Sequence, residues 1–338
     1  MTVTTRRSVL GAIATSPLWL QTAWAESASL KISHQFPGGT LTEGDFRDRL
    51  CRMFAAEAEK RSKGSLKFEV YAGSSLMKTN AQFSAMRKGA LDLSLVPLSY
   101  AGGEVQEVNI GLMPGLVTSY EQGYKWKDAP VGKELARILD EKGIVVVSWI
   151  WQAGGVASRG KPIIEPADAA GLKVRGGSRE MDLILKAAGA AVVTLPSNEI
   201  YAAMQTGAMD AALTSSTSLI SFRLEEVSKS LTTGRGNAYW FMFEPLLISK
   251  MVFEKLSKDQ QATIMAVGAE MEAFARKSAQ LDDSLVAAVY QRAGAKVVDL
   301  NAATVKRWQA IARATAWKDY AEKNANCAKL LALAEKLL

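Results

Sequence analysis

The chain has 338 residues, 48% hydrophobic and 22% charged, with a formal net charge of +7. Such a composition suits a globular protein with one large or two medium cores, and it excludes a disordered, collagenous or multi-span membrane chain. One histidine and two cysteines are too few for the usual zinc sites, and any Ser-His-Asp or Cys-His catalyst would have to use His34. No dense Lys/Arg block is present, so no nucleic-acid partner is expected.

The first 25 residues read as an export signal. Arg6 and Arg7 precede Ser8-Val9-Leu10, an apolar stretch follows, and Ala23-Trp24-Ala25 supplies a small-residue cleavage pattern. Paired arginines before Ser-Val-Leu resemble a twin-arginine signal, with general secretion as the alternative. Pro17 and Gln21 interrupt the apolar run short of the roughly 20 residues a membrane span needs. The mature protein is therefore expected in the periplasm, cleaved near Ala25. Cys51 and Cys327 are an even pair in an oxidising compartment, where a bridge and two buried thiols are both open readings.

Along the mature chain, Leu30–Phe36 alternates as a strand. A helix follows, with Phe46, Leu50, Met53 and Phe54 at helical spacing and Gly64 just past its end. Strand Leu66–Tyr71, helix Gln82–Lys88, strand Leu91–Pro97 and the β-branched run Ile144–Trp149 come next. A short strand at Leu172–Arg175, a helix at Ser178–Ala188 and a strand at Ala191–Leu195 complete the alternation. This pattern predicts an α/β fold with largely parallel sheets. Lys258–Arg292 reads as one helix without proline or stop. At about 1.5 Å per residue it spans roughly 50 Å, enough to run along two lobes.

An internal repeat is the most informative feature. Ala85-Met86-Arg87-Lys88-Gly89-Ala90-Leu91-Asp92 recurs as Ala203-Met204-Gln205-Thr206-Gly207-Ala208-Met209-Asp210. Each copy ends a helix at a glycine, where positive φ is needed, and enters an apolar strand carrying an early aspartate. Two similar α/β lobes without an enzyme-like cluster imply a cleft that closes on a ligand.

Gly171-Leu172-Lys173-Val174-Arg175, then Pro196-Ser197-Asn198-Glu199-Ile200-Tyr201-Ala202-Ala203-Met204-Gln205-Thr206-Gly207-Ala208-Met209-Asp210, resembles the solute-binding subunits of tripartite ATP-independent periplasmic (TRAP) transporters. His34-Gln35-Phe36-Pro37, Gly89-Ala90-Leu91-Asp92 and Pro245-Leu246-Leu247-Ile248-Ser249 add to the likeness, which covers about Leu30 to Lys296. The resemblance implies a two-lobed periplasmic binding protein with hinge segments and a long helix spanning both lobes. It further implies that Arg175 grips a ligand carboxylate, delivery to TRAP permease subunits, and no catalysis, cofactor or metal. A guanidinium fork meets a carboxylate with two parallel charge-assisted bonds, which lysine cannot reproduce. Expected boundaries are 26–150 plus about 240–270 for lobe I, 151–239 plus about 271–300 for lobe II, and 301–338 for a C-terminal helical segment. A monomer is expected.

Two positions depart from the family pattern. Many relatives carry a second arginine where this chain reads Trp149-Ile150-Trp151-Gln152-Ala153-Gly154-Gly155, and an asparagine where it has Thr214. One arginine with amide and hydroxyl partners, Gln152, Thr214 and Ser215, is the resulting expectation. Arg179 either replaces the missing charge, pairs with Glu180 or faces solvent. Trp149, Trp151, Tyr239 and Trp240 are core packing or cleft walls, and His34 is a structural residue or a cleft contact. If the aromatics face the cleft, a monocarboxylate with an aromatic or keto/hydroxy body is favoured. A sugar acid, a dicarboxylate or a ligand-presenting sensor role are the alternatives. An enzyme built on Glu199 and Tyr201 lacks a nearby nucleophile.

Overall fold

The computed structural model describes residues 1–2 and 29–338, so nearly all of the expected export signal lies outside the described residues. In chain order the first strands are β1 (Ser29–His34), β2 (Lys67–Tyr71), β3 (Leu93–Leu95), β4 (Ile144–Ser148), β5 (Trp151–Gln152) and β6 (Gly154–Ser158). Then come β7 (Lys173–Arg175), β8 (Ala191–Val193), β9 (Ala211–Ser215) and β10 (Ser230–Thr233), followed by β11 (Met242–Phe243), β12 (Leu246–Ser249) and β13 (Lys296–Asp299). They assemble as one sheet ordered β2-β1-β3-β12-β4, a second ordered β13-β10-β6-β9-β7-β8, and a short β11-β5 ladder.

The two sheets share one plan. In the first, β1 lies parallel between β2 and β3; in the second, β7 lies parallel between β8 and β9. The repeated segments end in the same way at atomic level. Gly89 and Gly207 take φ of +69° and +77°, and the following aspartate reaches the neighbouring strand. Asp92 Oδ2 accepts from the Lys31 backbone N–H at 2.7 Å, and Asp210 Oδ2 from that of Lys173 at 2.8 Å. These carboxylates satisfy backbone donors of β1 and β7 that would otherwise lack a partner.

The sheets are mixed rather than largely parallel, which corrects the sequence-based expectation. β12 runs antiparallel to β3 and β4, and β6 runs antiparallel to β9 and β10. The reason is connectivity. The chain leaves the first sheet at β4, passes through β5 and enters the second as β6; it returns from β10 through β11 into β12. A strand arriving from the other sheet enters from the shared side and runs opposite to its neighbours. The two crossings pair as the β5–β11 ladder, Gln152 with Met242 and Trp151 with Phe243.

The long helix occupies Lys258–Arg292, started by a capping box of Ser257 and Gln260. Its first half packs on helix Phe46–Arg61 and β4, its second on helix Ser216–Ser221, β10 and β13. Ser148 donates to the Gly268 carbonyl at 2.7 Å, and a side chain at Gly268 would strike the Val147 backbone. Adjacent aspartates tie the helix to both sides: Tyr120 donates to Asp283 (2.6 Å) and Thr217 to Asp282 (2.7 Å). Helices Ala302–Ala314, Ala316–Lys323 and Ala325–Glu335 then cover helices Pro130–Glu141 and Arg179–Ala187. Cys51 and Cys327 are both buried and unbridged, and they belong to different hydrophobic clusters. Among the described residues, no helix is long and apolar enough to cross a membrane.

Candidate functional site

Parallel strands end at a crevice where loops leave in opposite directions, and ligand sites in α/β sheets form there. Here the carboxyl end of β3 meets that of β7. Ser99 donates to the Gly177 carbonyl at 3.2 Å, and the Tyr100 phenol bridges Arg175 and the Ser197 backbone N–H at 2.8 and 2.9 Å. A pocket of about 450 Å³ opens beside this junction, with Tyr100, Asn109, Gly177, Asp182 and Leu195 in its wall.

Arg175 closes β7 and is only 4% exposed. Its Nε donates to the Leu195 carbonyl (3.1 Å), its Nη1 to the Leu213 carbonyl (2.7 Å) and its Nη2 to the Tyr100 hydroxyl. Guanidinium carries five N–H groups, so one N–H on each Nη remains available. No carboxylate of the described residues lies within ion-pair distance of it. Gly177, at φ +90°, lets the chain fold over the guanidinium: a Cβ there would stand 2.7 Å from Nη1. Burial lifts the nearby Asp182 carboxyl to about 6, against the pull of the Arg175 charge. A buried, unpaired cation with two free donors is a prepared seat for a carboxylate.

A second buried guanidinium reaches the end of β9, the strand whose Leu213 carbonyl holds Arg175. Asp45 caps helix Phe46–Arg61 by accepting from the Arg47 N–H, and the same carboxylate grips the Arg47 side chain at 2.7 and 2.9 Å. The guanidinium lies 3.6 Å over the Phe36 ring. Its Nη1 reaches Ser218 (3.0 Å), Glu244 (3.2 Å) and Ser215 (3.4 Å). Glu244 also meets Gln152, linking the cluster to the β5–β11 ladder. Burial raises the Glu244 carboxyl to about 7, with Arg47 opposing, while Asp45 and Glu244 overcome burial and raise Arg47.

The residues singled out from sequence separate into three groups. Arg175 closes β7 and reaches β9 through the Leu213 carbonyl, next to Thr214 in sequence, whereas Ser215 is engaged by Arg47 and Ser218 and Gln152 by Glu244. The aromatic residues are engaged with other rings or packed against backbone. Trp149 and Trp151 lie 4.8 and 5.0 Å from Phe243, Trp151 also meets Trp126, and Tyr239 stacks on Trp308 at 5.0 Å. Trp240 packs beside Gly154, where a Cβ would come within 2.5 Å of its ring. His34 and Arg179 have protein partners. The His34 ring meets Asp48 (3.1 Å) and accepts from the Phe36 N–H, and Arg179 forks onto Asp319 at 2.8 and 3.1 Å, not onto Glu180.

Sequence reasoning missed Tyr100, Arg47 and Glu244, because a lone tyrosine, a helix-start arginine and a single glutamate carry no spacing signal. It also passed over Gln35, whose amide oxygen and nitrogen are buried without a protein partner. The repeat held a clue: Gln35 stands four residues beyond Lys31, as Gly177 stands four beyond Lys173.

Bacterial extracellular solute-binding protein, family 7, matches residues 38–324. A solute-binding protein of Albidiferax ferrireducens is 73% identical over 97% of both chains. The 2,3-diketo-L-gulonate-binding periplasmic protein of Escherichia coli is 27% identical over 77% of this chain and 79% of its own. A crystal structure of a TRAP periplasmic solute-binding protein from Rhodoferax ferrireducens, with bound malonate, superposes with a TM-score of 0.90 at 76% identity, covering 91% of this chain and 98% of that one. The chain belongs to this family of TRAP solute-binding proteins, which capture small organic acids in the periplasm and hand them to a membrane permease.

Proposed function

We propose that this chain binds a short organic acid whose carboxylate forks onto the two free N–H groups of Arg175, with the two sheets closing over it about the β5–β11 ladder. The observation that carries the reading is the buried, unpaired Arg175 guanidinium, held at three donors and open at two. Thr214 and the Gln35 amide supply neutral hydrogen-bonding groups for the rest of the ligand. The aromatic-body reading loses support because Trp149 and Trp151 already pack on Phe243 and Tyr239 stacks on Trp308. A short aliphatic acid gains support from the malonate held by the 76%-identical relative. The protein works as a monomeric carrier without catalysis, after the leader has been cleaved near Ala25.

A thermal-shift panel of malonate, succinate, lactate, glucuronate and 4-hydroxybenzoate tests the ligand class. A ligand at 100 times its dissociation constant adds about 2.7 kcal/mol to stability. Stabilisation by the short acids, with the aromatic acid inert, is expected. Stabilisation by 4-hydroxybenzoate alone would restore the aromatic reading.

A further inference from the structure

We propose that Arg47 is a positioning residue for capture: an interlobe clasp that holds the closed cleft from the hinge side. The inference rests on the proposed closure, but it concerns residues that Arg175 does not touch. Asp45 takes Nε and Nη2 in a fork and Phe36 supports the flat face, so the guanidinium is fixed to the side of the first sheet. That leaves Nη1 aimed outward. Besides Glu244 between β11 and β12, its acceptors are Ser218 and Ser215, which begin helix Ser216–Ser221 on the second sheet and are themselves 3.1 Å apart.

All of these side chains are buried, so the contact cannot be exchanged for water while the two sides stay together. Separating the sheets would strip Nη1 of its hydroxyl partners and expose a charge now shielded by Asp45 and Glu244. Closing would restore them. Arg47 also bears on the ligand seat itself, because Ser215 lies two residues beyond Leu213, whose carbonyl holds Arg175 Nη1 at 2.7 Å. The two arginines therefore both hold the end of β9, one through the Leu213 carbonyl and one through the Ser215 hydroxyl. A bond from a charged donor that exists only when the cleft is closed adds directly to ligand affinity and slows release.

Ser218→Ala removes one acceptor without disturbing the Asp45 fork; Ser218→Thr keeps the hydroxyl, and Arg47→Lys loses the fork. Malonate binding by calorimetry and release by stopped flow are read on each, with the radius of gyration of the ligand-free protein as a second readout. Ser218→Ala is expected to bind malonate about tenfold more weakly, through faster release, and to be more expanded without ligand; Ser218→Thr restores both values. Arg47→Lys is expected to behave like Ser218→Ala or worse. A lowered melting temperature for Ser218→Ala, with affinity, release and radius unchanged, would overturn the clasp and leave Arg47 as static packing. If the parent protein does not bind malonate, the short-acid reading fails by itself. The radius of gyration then decides the clasp: expansion supports it, and equal radii refute it.

Discussion

The phenolic oxygen of Tyr100 lies 2.8 Å from Nη2 of Arg175, so a residue following β3 in the first sheet holds the key cation of the second. The same oxygen accepts the Ser197 N–H, which spends its lone pairs on the second sheet and joins both sides at the proposed ligand seat. Under the proposed function, cleft closure and carboxylate recognition share one hydroxyl.

Tyr100→Phe keeps the ring and removes that joint. A hydrogen bond to a charged group contributes about 1.5–3 kcal/mol, so the variant is expected to bind its acid at least tenfold more weakly. Chemical unfolding should shift much less than binding. Calorimetry beside a urea melt checks the pair of outcomes; unchanged affinity would detach Tyr100 from the site.

The repeated aspartates make a separate prediction about the scaffold. Asp92→Ala and Asp210→Ala each leave one backbone N–H, of Lys31 in β1 or Lys173 in β7, without its acceptor, at a cost of about 1–3 kcal/mol. The two variants should lose similar stability and retain ligand affinity. Loss in only one of them would show that the duplicated turn no longer serves both lobes equally.

Buried acids set the pH dependence of stability. Burial raises Glu244 and Glu180 to about 7, and Asp182 and Asp283 to about 6. In the unfolded chain these groups titrate near 4, so between about pH 4 and 7 the folded state holds more protons. Stability therefore falls as pH rises through that window and levels off above it. Melting temperature is expected to be higher at pH 5 than at pH 8, and Glu244→Gln should flatten part of the slope. A melting temperature that climbs steadily from pH 5 to 8 would contradict this. The exposed pairs with lowered carboxyls, such as Glu121 with Lys125, oppose the trend only weakly because solvent screens them.

What the sequence disclosed depended on periodicity and repetition. The long helix was legible at Lys258–Arg292 because nothing in those residues stops a helix, and the duplicated lobe was legible because its glycine and aspartate recur in register. The motif drew attention to Arg175, which lies buried at the end of β7. The antiparallel strands were not, since β6 and β12 owe their direction to chain crossings that no local pattern records. Nor were the partners of Arg175: Tyr100 and the Leu195 and Leu213 carbonyls meet only after both sheets form. For the tryptophans, alternation showed which share a face but not what covers it, and the answer is largely other rings.

Titration calorimetry of malonate into the parent protein and into Arg175→Lys tests the central claim most directly. Lysine keeps the charge and loses the planar fork, so affinity should fall by about 2 kcal/mol or more while the far-ultraviolet circular dichroism and melting curve are retained. Equal affinity of a folded Arg175→Lys variant for an acid that the parent binds would contradict the assignment of Arg175 as the carboxylate seat.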